Sequence, residues 1–310
     1  MKTLLTRSAS GIVFVVLMVG AILWNQYSFA LLISVILAGS LNEYFNITAS
    51  KRETGKARLP IKWLVLILSL LLYWRAFLLS CTPVTDEGEV SSVFWAFILQ
   101  LCRLHDPALP MNALVPILVF IIFAYELFTE SENSFNNIGW NVIAVFWIVV
   151  PLVLTNGLYF EKGGVFLVTV FALIWLYDSA SYACGTLFGR HPLFKRVSPK
   201  KTIEGSLGGG LVTIGAAYFL NQCPHLTMLS KLEWMVLSFV IIVSGTFGDL
   251  VESLLKRNLG IKDSGRIMPG HGGFLDRFDA YLFTVPFVVA TLWVINQLQN
   301  MMLIFDYLNK

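Results

Sequence analysis

Long apolar runs separated by short polar segments dominate the sequence, and most of these runs approach the length that a helix needs to cross a bilayer, about 17–25 residues. A β-barrel would instead show alternating segments of about ten residues, which this sequence lacks. We therefore predict an all-α polytopic integral membrane protein with about nine transmembrane helices. The predicted helices cover residues 8–24, 27–45, 61–80, 111–129, 138–158, 163–184, 206–221, 234–255 and 278–298.

Composition excludes a soluble globular protein. Hydrophobic residues make up 56% of the chain and charged residues only 13%, whereas a soluble domain carries roughly 25% charged residues. Lys2 and Arg7 precede the first apolar run, and no small-residue cleavage site follows it, so we expect a retained helix rather than a signal peptide. The four cysteines are scattered without metal-binding spacing.

The basic residues predict the orientation. Most of the 22 lysines and arginines lie in the N-terminal tail and in segments 46–62, 185–205 and 253–279. If the short apolar run 92–104 does not cross, all of these segments fall on one side of the membrane. The positive-inside rule then favours nine spans, with the N-terminus in the cytoplasm and the C-terminus outside. We expect the protein in the cytoplasmic (inner) membrane.

A carboxylate lies within the sixth predicted helix. Asp178, Ser181, Tyr182 and Gly185 recur at helical spacing and therefore share one face. A charge at mid-membrane costs about 2.5–3.5 kcal/mol, so Asp178 needs a partner or a water-filled cavity. It is either a functional group or a carboxylate bonded to a neighbouring helix for packing.

The loop that follows this helix is basic and contains the motif S-P-K-K-T-x-E-G. Its cations suit phosphate groups, although basic loops are also common on the cytoplasmic side for reasons of topology. The rigid Pro199 and the glycines that open the next helix favour a binding segment. The candidate phosphate-binding residues of this loop are Ser198, Lys200, Lys201 and Thr202.

The most distinctive stretch is 253–279, which is polar and lies between two apolar runs. In the helix that leads into it, Asp249, Glu252, Ser253 and Lys256 share one face. An apolar helix therefore leaves the membrane with three charged residues on one side.

The chain enters its last apolar run through Asp276 and Asp279, one helical turn apart. Carboxylate oxygens suit Mg²⁺, which usually takes one or two of them together with substrate phosphates. Capping of the helix N-terminus would explain one aspartate, but hardly both Asp249 and Asp276. We predict these two as metal ligands.

These motifs resemble the phosphatidate cytidylyltransferase family, also called CDP-diglyceride synthase. That family's pattern is S-x-apolar-K-R, then K-D-x-small, then P or G-x-H-G-G-apolar-x-D-R-apolar-D. The upstream D-x-x-S-Y-x-x-G and S-P-K-K-T-x-E-G motifs are also similar, and the resemblance covers about residues 170–290. Met268, where the family has an aliphatic or aromatic residue, is a mild departure. The matching residues are Ser253, Lys256, Arg257, Lys262, Asp263, Gly265, Met268, Pro269, His271, Gly272, Gly273, Asp276, Arg277 and Asp279.

The resemblance implies an Mg²⁺-dependent nucleotidyltransferase that converts CTP and phosphatidate to CDP-diacylglycerol and pyrophosphate. It also implies metal ligation by Asp249 and Asp276, compatibility with a second cation such as K⁺, a homodimer, and a catalytic cavity facing the cytoplasm. The expected partners are CTP, phosphatidate and membrane lipid, without nucleic acid.

The candidate residues divide by expected role. The reaction has an ionised nucleophile, so His271 is expected to serve a turn or a phosphate contact rather than act as a base. The candidate catalytic residues are Asp249, Asp276, Lys256, Arg257 and Asp178. The candidate substrate-binding residues are Ser198, Lys200, Lys201, Thr202, Ser253, Lys262, Asp263, His271, Gly272, Gly273, Arg277 and Asp279.

The predicted organisation is an N-terminal transmembrane region (1–110), middle helices (111–160) and a C-terminal catalytic region (161–310) with cytoplasmic loops 185–205 and 256–277. Two alternatives stay open. A CTP-dependent polyprenol or dolichol kinase would transfer the γ-phosphoryl group to an alcohol and would need a base. An ion-coupled transporter would use intramembrane carboxylates as ion sites, but the sequence shows no inverted repeat in its support.

Overall fold

A computed structural model describes residues 2–51, 61–81, 111–129, 131–265 and 272–308, and these are almost entirely helical. A π-helical turn, Val145–Val149, joins α5 to α6, and one two-stranded hairpin precedes α8. The elements are α1 (Lys2–Trp24), α2 (Gln26–Thr48), α3 (Ile61–Cys81), α4 (Met111–Leu127), α5 (Ser134–Ala144), α6 (Val150–Lys162), α7 (Gly164–Phe188), β1 (Pro192–Phe194), β2 (Ser198–Thr202), α8 (Ile203–Leu220), α9 (Lys231–Asn258) and α10 (Leu275–Leu308).

The helices confirm an all-α polytopic membrane protein. Each predicted helix has a counterpart, and among the described residues 7 helical segments are long and apolar enough to cross a membrane. Two more apolar helices, Gly11–Trp24 and Leu114–Leu127, are shorter. The run 92–104 lies outside the described residues, so the count of nine spans and the orientation of the termini stay predictions.

Capping residues set helix starts that apolar periodicity alone places too late. Ser230 and Glu233 form a capping box: Glu233 N donates to Ser230 Oγ at 3.3 Å, and Ser230 N donates to Glu233 Oε2 at 2.7 Å. Helix α9 therefore begins at Lys231 rather than at 234. The backbone amide of Gly205 donates to Thr202 Oγ1 at 3.1 Å, and α8 begins at Ile203 rather than at 206.

One compact unit contains Met1–Glu161 together with Ser264–Leu275. Aromatic side chains pack its helices: the rings of Phe29 and Tyr159 stack with centroids 4.0 Å apart. The hydroxyl of Tyr44 donates to the carbonyl of Trp140 at 3.0 Å, which joins α2 to α5. The core of this unit is thus apolar, with polar side chains at selected buried positions.

The second compact unit contains Lys162–Asp263 together with Asp276–Lys310. Helices α7 and α8 approach at small residues: a Cβ placed on Gly209 would lie 2.6 Å from the backbone nitrogen of Ser181. Close approach through small residues is a common way for helices to pack in a bilayer. On the other side of α7, the ring of Phe171 stacks on Tyr281 of α10 at 4.0 Å.

Candidate active site

The charged face predicted on α9 forms an ion-pair network. Glu252 is fully buried, and the ammonium of Lys256, one turn later, contacts its carboxylate. Lys256 Nζ also lies 2.7 Å from Asp276 Oδ1 at the start of α10. Lys256 therefore bridges two carboxylates from different helices and joins the end of α9 to the start of α10.

A second lysine joins the hairpin to the same helix. Lys201 of β2 forms an ion pair with Asp249 of α9. Burial alone would lower the pKa of the Lys201 ammonium, but the carboxylates of Asp249, Asp178 and Asp279 outweigh it and raise the pKa above its ordinary value. Lys201 thus keeps its positive charge throughout the physiological pH range.

Three carboxylates converge beside these lysines. Asp249, Glu252 and Asp279 each offer an oxygen, and the three oxygens lie within 4.8 Å of one another. Asp279 Oδ1 accepts a hydrogen bond from its neighbour's amide at 2.8 Å. Glu252 Oε1 is buried and has no hydrogen-bond partner among the described residues. Such a buried orphan oxygen among other carboxylates is the donor set that a hard divalent cation takes.

Gly248 explains how the carboxylates of two helices come so close. A Cβ at this position would lie 2.7 Å from the carbonyl oxygen of Asp279 and 2.7 Å from Cβ of Phe283. The missing side chain lets α10 pack directly against the backbone of α9. Because Gly248 immediately precedes Asp249, this contact places Asp279 next to Asp249.

Asp178 projects from α7 with an exposed side chain. Its charge interacts with those of Lys201, Asp249 and Arg277, which come from the hairpin, α9 and α10. The structure therefore brings Asp178 into the electrostatic environment of the cluster. Across this group carboxyl groups outnumber basic side chains, which favours the binding of a further cation.

Other predicted residues lie outside the core of the cluster. Arg257, Lys262 and Asp263 are exposed at the end of α9 and just beyond it, and Ser253 is half-buried on α9. His271 lies outside the described residues.

On the hairpin, Lys200 is exposed and Ser198 is half-buried. The hydroxyl of Thr202 already caps α8. In the last polar stretch, Gly272 adopts a positive φ of 84°, a conformation that favours glycine.

Glu204 was missed by the sequence reasoning. Its Oε2 accepts hydrogen bonds from the amides of Arg190 at 3.1 Å and His191 at 3.2 Å, and its Oε1 lies 2.5 Å from His191 Nδ1. One carboxylate at the start of α8 thereby fixes the base of the hairpin that carries Lys201. The signal was present as the glutamate of the S-P-K-K-T-x-E-G motif.

Known proteins match these features. The model of a family described as "Cytidylyltransferase family" matches residues 5–295. The chain belongs to the cytidylyltransferase family. The match runs through the charged clusters of α7, the hairpin, α9 and α10, and it also includes the N-terminal helices.

Curated relatives of this family are named phosphatidate cytidylyltransferase. The chain is 37% identical over 173 residues to a relative from Staphylococcus epidermidis and 35% identical over 176 residues to one from Staphylococcus aureus. Each match covers 54% of this chain and 64% of the relative. A third, from Staphylococcus haemolyticus, is 36% identical over 214 residues, which is 64% of this chain and 77% of the relative.

Proposed function

We propose that the protein is a phosphatidate cytidylyltransferase, which makes CDP-diacylglycerol and pyrophosphate from CTP and phosphatidate. The observation that carries this proposal is the cluster of Asp249, Glu252 and Asp279 with Lys201 and Lys256, in a chain of the cytidylyltransferase family. Relatives that bear the name of this activity support the choice of substrates.

The reaction requires neutralisation of the charges on the two anionic substrates more than it requires proton transfer. An anionic oxygen of phosphatidate forms a bond to the α-phosphorus of CTP. The bond from that phosphorus to the oxygen that joins the α- and β-phosphorus atoms breaks, and pyrophosphate leaves with the electron pair. No proton has to move, so no base is needed. The obstacles are repulsion between two anions and their alignment, which positioned cations reduce.

The cations divide into two groups by their surroundings. Lys256 lies partly buried between Glu252 and Asp276, so it holds carboxylates in place. Exposed cations on the hairpin and around α9 and α10 lie where a phosphate group in solution can contact them. Arginine offers a planar fork and lysine a compact point charge. The proposed phosphate-binding cations are Lys200, Arg257, Lys262 and Arg277, with Lys201 exchanging part of its interaction with Asp249.

The carboxylates fit a hard divalent cation. Mg²⁺ would be held by Asp249 and Asp276, as the sequence predicts, with Glu252 and Asp279 adjacent to Asp249. When bound, Mg²⁺ neutralises charge on the CTP phosphates and polarises the reacting phosphorus. The chain's own contribution is to fix these carboxylates through Lys201 and Lys256.

We further propose that the site faces the cytoplasm at the inner membrane and that the enzyme works as a homodimer. CTP then arrives from water while phosphatidate enters laterally from the bilayer. In a variant whose four native cysteines are replaced by serine, Lys195→Cys on the hairpin should react with an impermeant thiol reagent in inverted vesicles and not in intact cells. Cross-linking in native membranes tests the dimer.

The decisive experiment follows two labels. Purified protein in detergent is given Mg²⁺, phosphatidate and CTP labelled at either the α- or the γ-phosphorus. Cytidylyl transfer places the α-label in the lipid and the γ-label in pyrophosphate. A γ-label in the lipid would indicate a CTP-dependent kinase, and transport by the protein reconstituted in liposomes without nucleotide turnover would indicate a carrier; either result refutes the proposal.

One variant links the activity to the cluster. Asp249→Asn should lower cytidylyl transfer by about 100-fold or more, because it weakens the cation site that stabilises the transition state. Glu161→Gln removes an exposed carboxylate elsewhere and serves as the matched control. Turnover of Asp249→Asn within about tenfold of the control would contradict the metal assignment.

A further inference from the structure

We propose that Glu43 of α2 is a positioning residue: its carboxylate fixes residues 264–265 and 273–275 against one another and thereby sets where the first turn of α10 begins. The proposal rests on the proposed function in one respect, because the turn that Glu43 fixes leads directly into Asp276, a predicted metal ligand. It assigns a role to the N-terminal half of the chain, whose helices otherwise resemble generic membrane spans.

Glu43 is placed where a carboxylate is costly. It lies within the candidate span Gln26–Lys51 and only 4% of it is exposed. An ionisable residue in such a segment is expensive, and its presence there calls for partners and a function.

Two hydrogen bonds supply those partners within the first compact unit. The hydroxyl of Ser264 donates to Glu43 Oε2 at 3.1 Å. The backbone amide of Leu275 donates to the same oxygen at 2.9 Å. One oxygen of Glu43 therefore holds both sides of the polar stretch, although these residues are more than two hundred positions away in sequence.

Glycines allow the chain to reach the carboxylate. A Cβ on Gly265 or on Gly273 would collide with the side chain of Glu43, and the Gly265 Cβ would also lie 3.2 Å from Cα of Gly273. One turn earlier on α2, a Cβ on Gly39 would lie 2.6 Å from the ring of Phe274. Gly39 and Glu43 thus form one contact surface on α2, against which Gly265, Gly273 and Phe274 pack.

The bond to Leu275 has a direct effect on α10. Leu275 is the first residue of that helix, and the first amides of a helix have no intrahelical acceptor. A carboxylate at this end also interacts favourably with the helix dipole. Glu43 therefore binds the first residue of the helix whose next residue is Asp276.

Two measurements distinguish positioning of the start of α10 by Glu43 from a contribution of Glu43 to overall stability. The first is amide hydrogen exchange of peptides covering Leu275, measured by mass spectrometry in detergent without metal or substrate. The second is the Mg²⁺ concentration that gives half-maximal cytidylyl transfer, which depends on the site and not on the amount of folded protein.

The variants differ in what they leave at position 43. Glu43→Ala removes the acceptor, and exchange at Leu275 should rise by about tenfold or more, the effect of losing a hydrogen bond to a charged group. Its half-maximal Mg²⁺ concentration should rise by about tenfold as Asp276 loses its fixed start. Glu43→Gln keeps an acceptor of the same length and should restore most of both values, while Ser264→Ala should show a smaller change in the same direction.

Glu126 provides the matched control, because it is also 4% exposed and accepts a hydrogen bond from Thr129 Oγ1 at 3.0 Å. Glu126→Ala should lower thermal stability without changing exchange at Leu275 or the half-maximal Mg²⁺ concentration.

Unchanged exchange in Glu43→Ala would overturn the proposal. Faster exchange with an unchanged Mg²⁺ requirement would overturn the positioning role. If the wild-type protein transfers no cytidylyl group, the proposed function fails, and the exchange measurement still decides whether Glu43 fixes the start of α10.

Discussion

Replacing Lys256 by methionine tests the network at the lysine that pairs with its most buried carboxylate. Methionine keeps most of the length of the side chain but removes the ammonium that contacts Glu252 and lies 2.7 Å from Asp276 Oδ1. Glu252 is fully buried and its Oε1 already has no hydrogen-bond partner among the described residues. The substitution therefore leaves a buried carboxylate without its counter-charge.

The expected loss is large because only one partner is removed. Breaking a buried ion pair in this way typically costs about 3–5 kcal/mol, which corresponds to roughly two to four powers of ten in the unfolding equilibrium. Lys231→Met on the same helix is the control: this exposed lysine lies 4.9 Å from the ring centroid of Tyr218. Loss of such a contact should cost about 0.5–1 kcal/mol.

The double variant Lys256→Met/Glu252→Gln shows whether the cost comes from the uncompensated charge. Removing both charges should recover about 0.5–3 kcal/mol relative to the sum of the two single changes, the usual range for coupled neighbours. Unfolding in detergent, followed by intrinsic fluorescence against denaturant, gives the free energies. A coupling below about 0.5 kcal/mol would refute the reasoning that Lys256 neutralises buried Glu252.

Three further predictions concern packing, the hairpin and the excess of negative charge. Gly209→Ala should destabilise the protein by about 1–3 kcal/mol because its Cβ meets Ser181. A Cβ on Gly215 of the same helix meets nothing within 4 Å, so Gly215→Ala should stabilise by up to about 1 kcal/mol; unfolding free energies decide this. Glu204→Ala removes the acceptor for two hairpin amides, so trypsin should cleave within the hairpin several times faster than in wild type. Asp279→Asn should raise the melting temperature without Mg²⁺, since it relieves repulsion among carboxylates, and it should abolish transfer, since it removes a carboxylate of the cluster. A lower melting temperature would contradict this reasoning.

The sequence predicted the helices because their signal is local. Runs of apolar residues mark spans wherever they occur, and each predicted helix has a counterpart in the structure. Helical spacing also placed Asp249, Glu252 and Lys256 on one face, which the ion pairs of α9 confirm. Such arguments need only the neighbours of a residue along the chain.

Pairings between distant segments could not be derived in this way. Lys201 meets Asp249 only because the loop before α8 folds into a hairpin, and periodicity carries no signal for that hairpin. Glu43 is a single acid in an apolar helix, and its partners Ser264 and Leu275 lie in another part of the chain. A lone intramembrane carboxylate was itself a signal of function, although it could not name its partners.

The excess of carboxylates over cations explains why so many fixed contacts surround this site. Asp249, Glu252 and Asp279 repel one another, so the fold must hold them together against their own charge. It does so with Lys201 and Lys256, which offset part of that charge. A cation that binds only the folded cluster adds stability by mass action. The repulsion among these carboxylates and their affinity for a cation therefore have the same origin, and changes that relieve the repulsion should weaken cation binding.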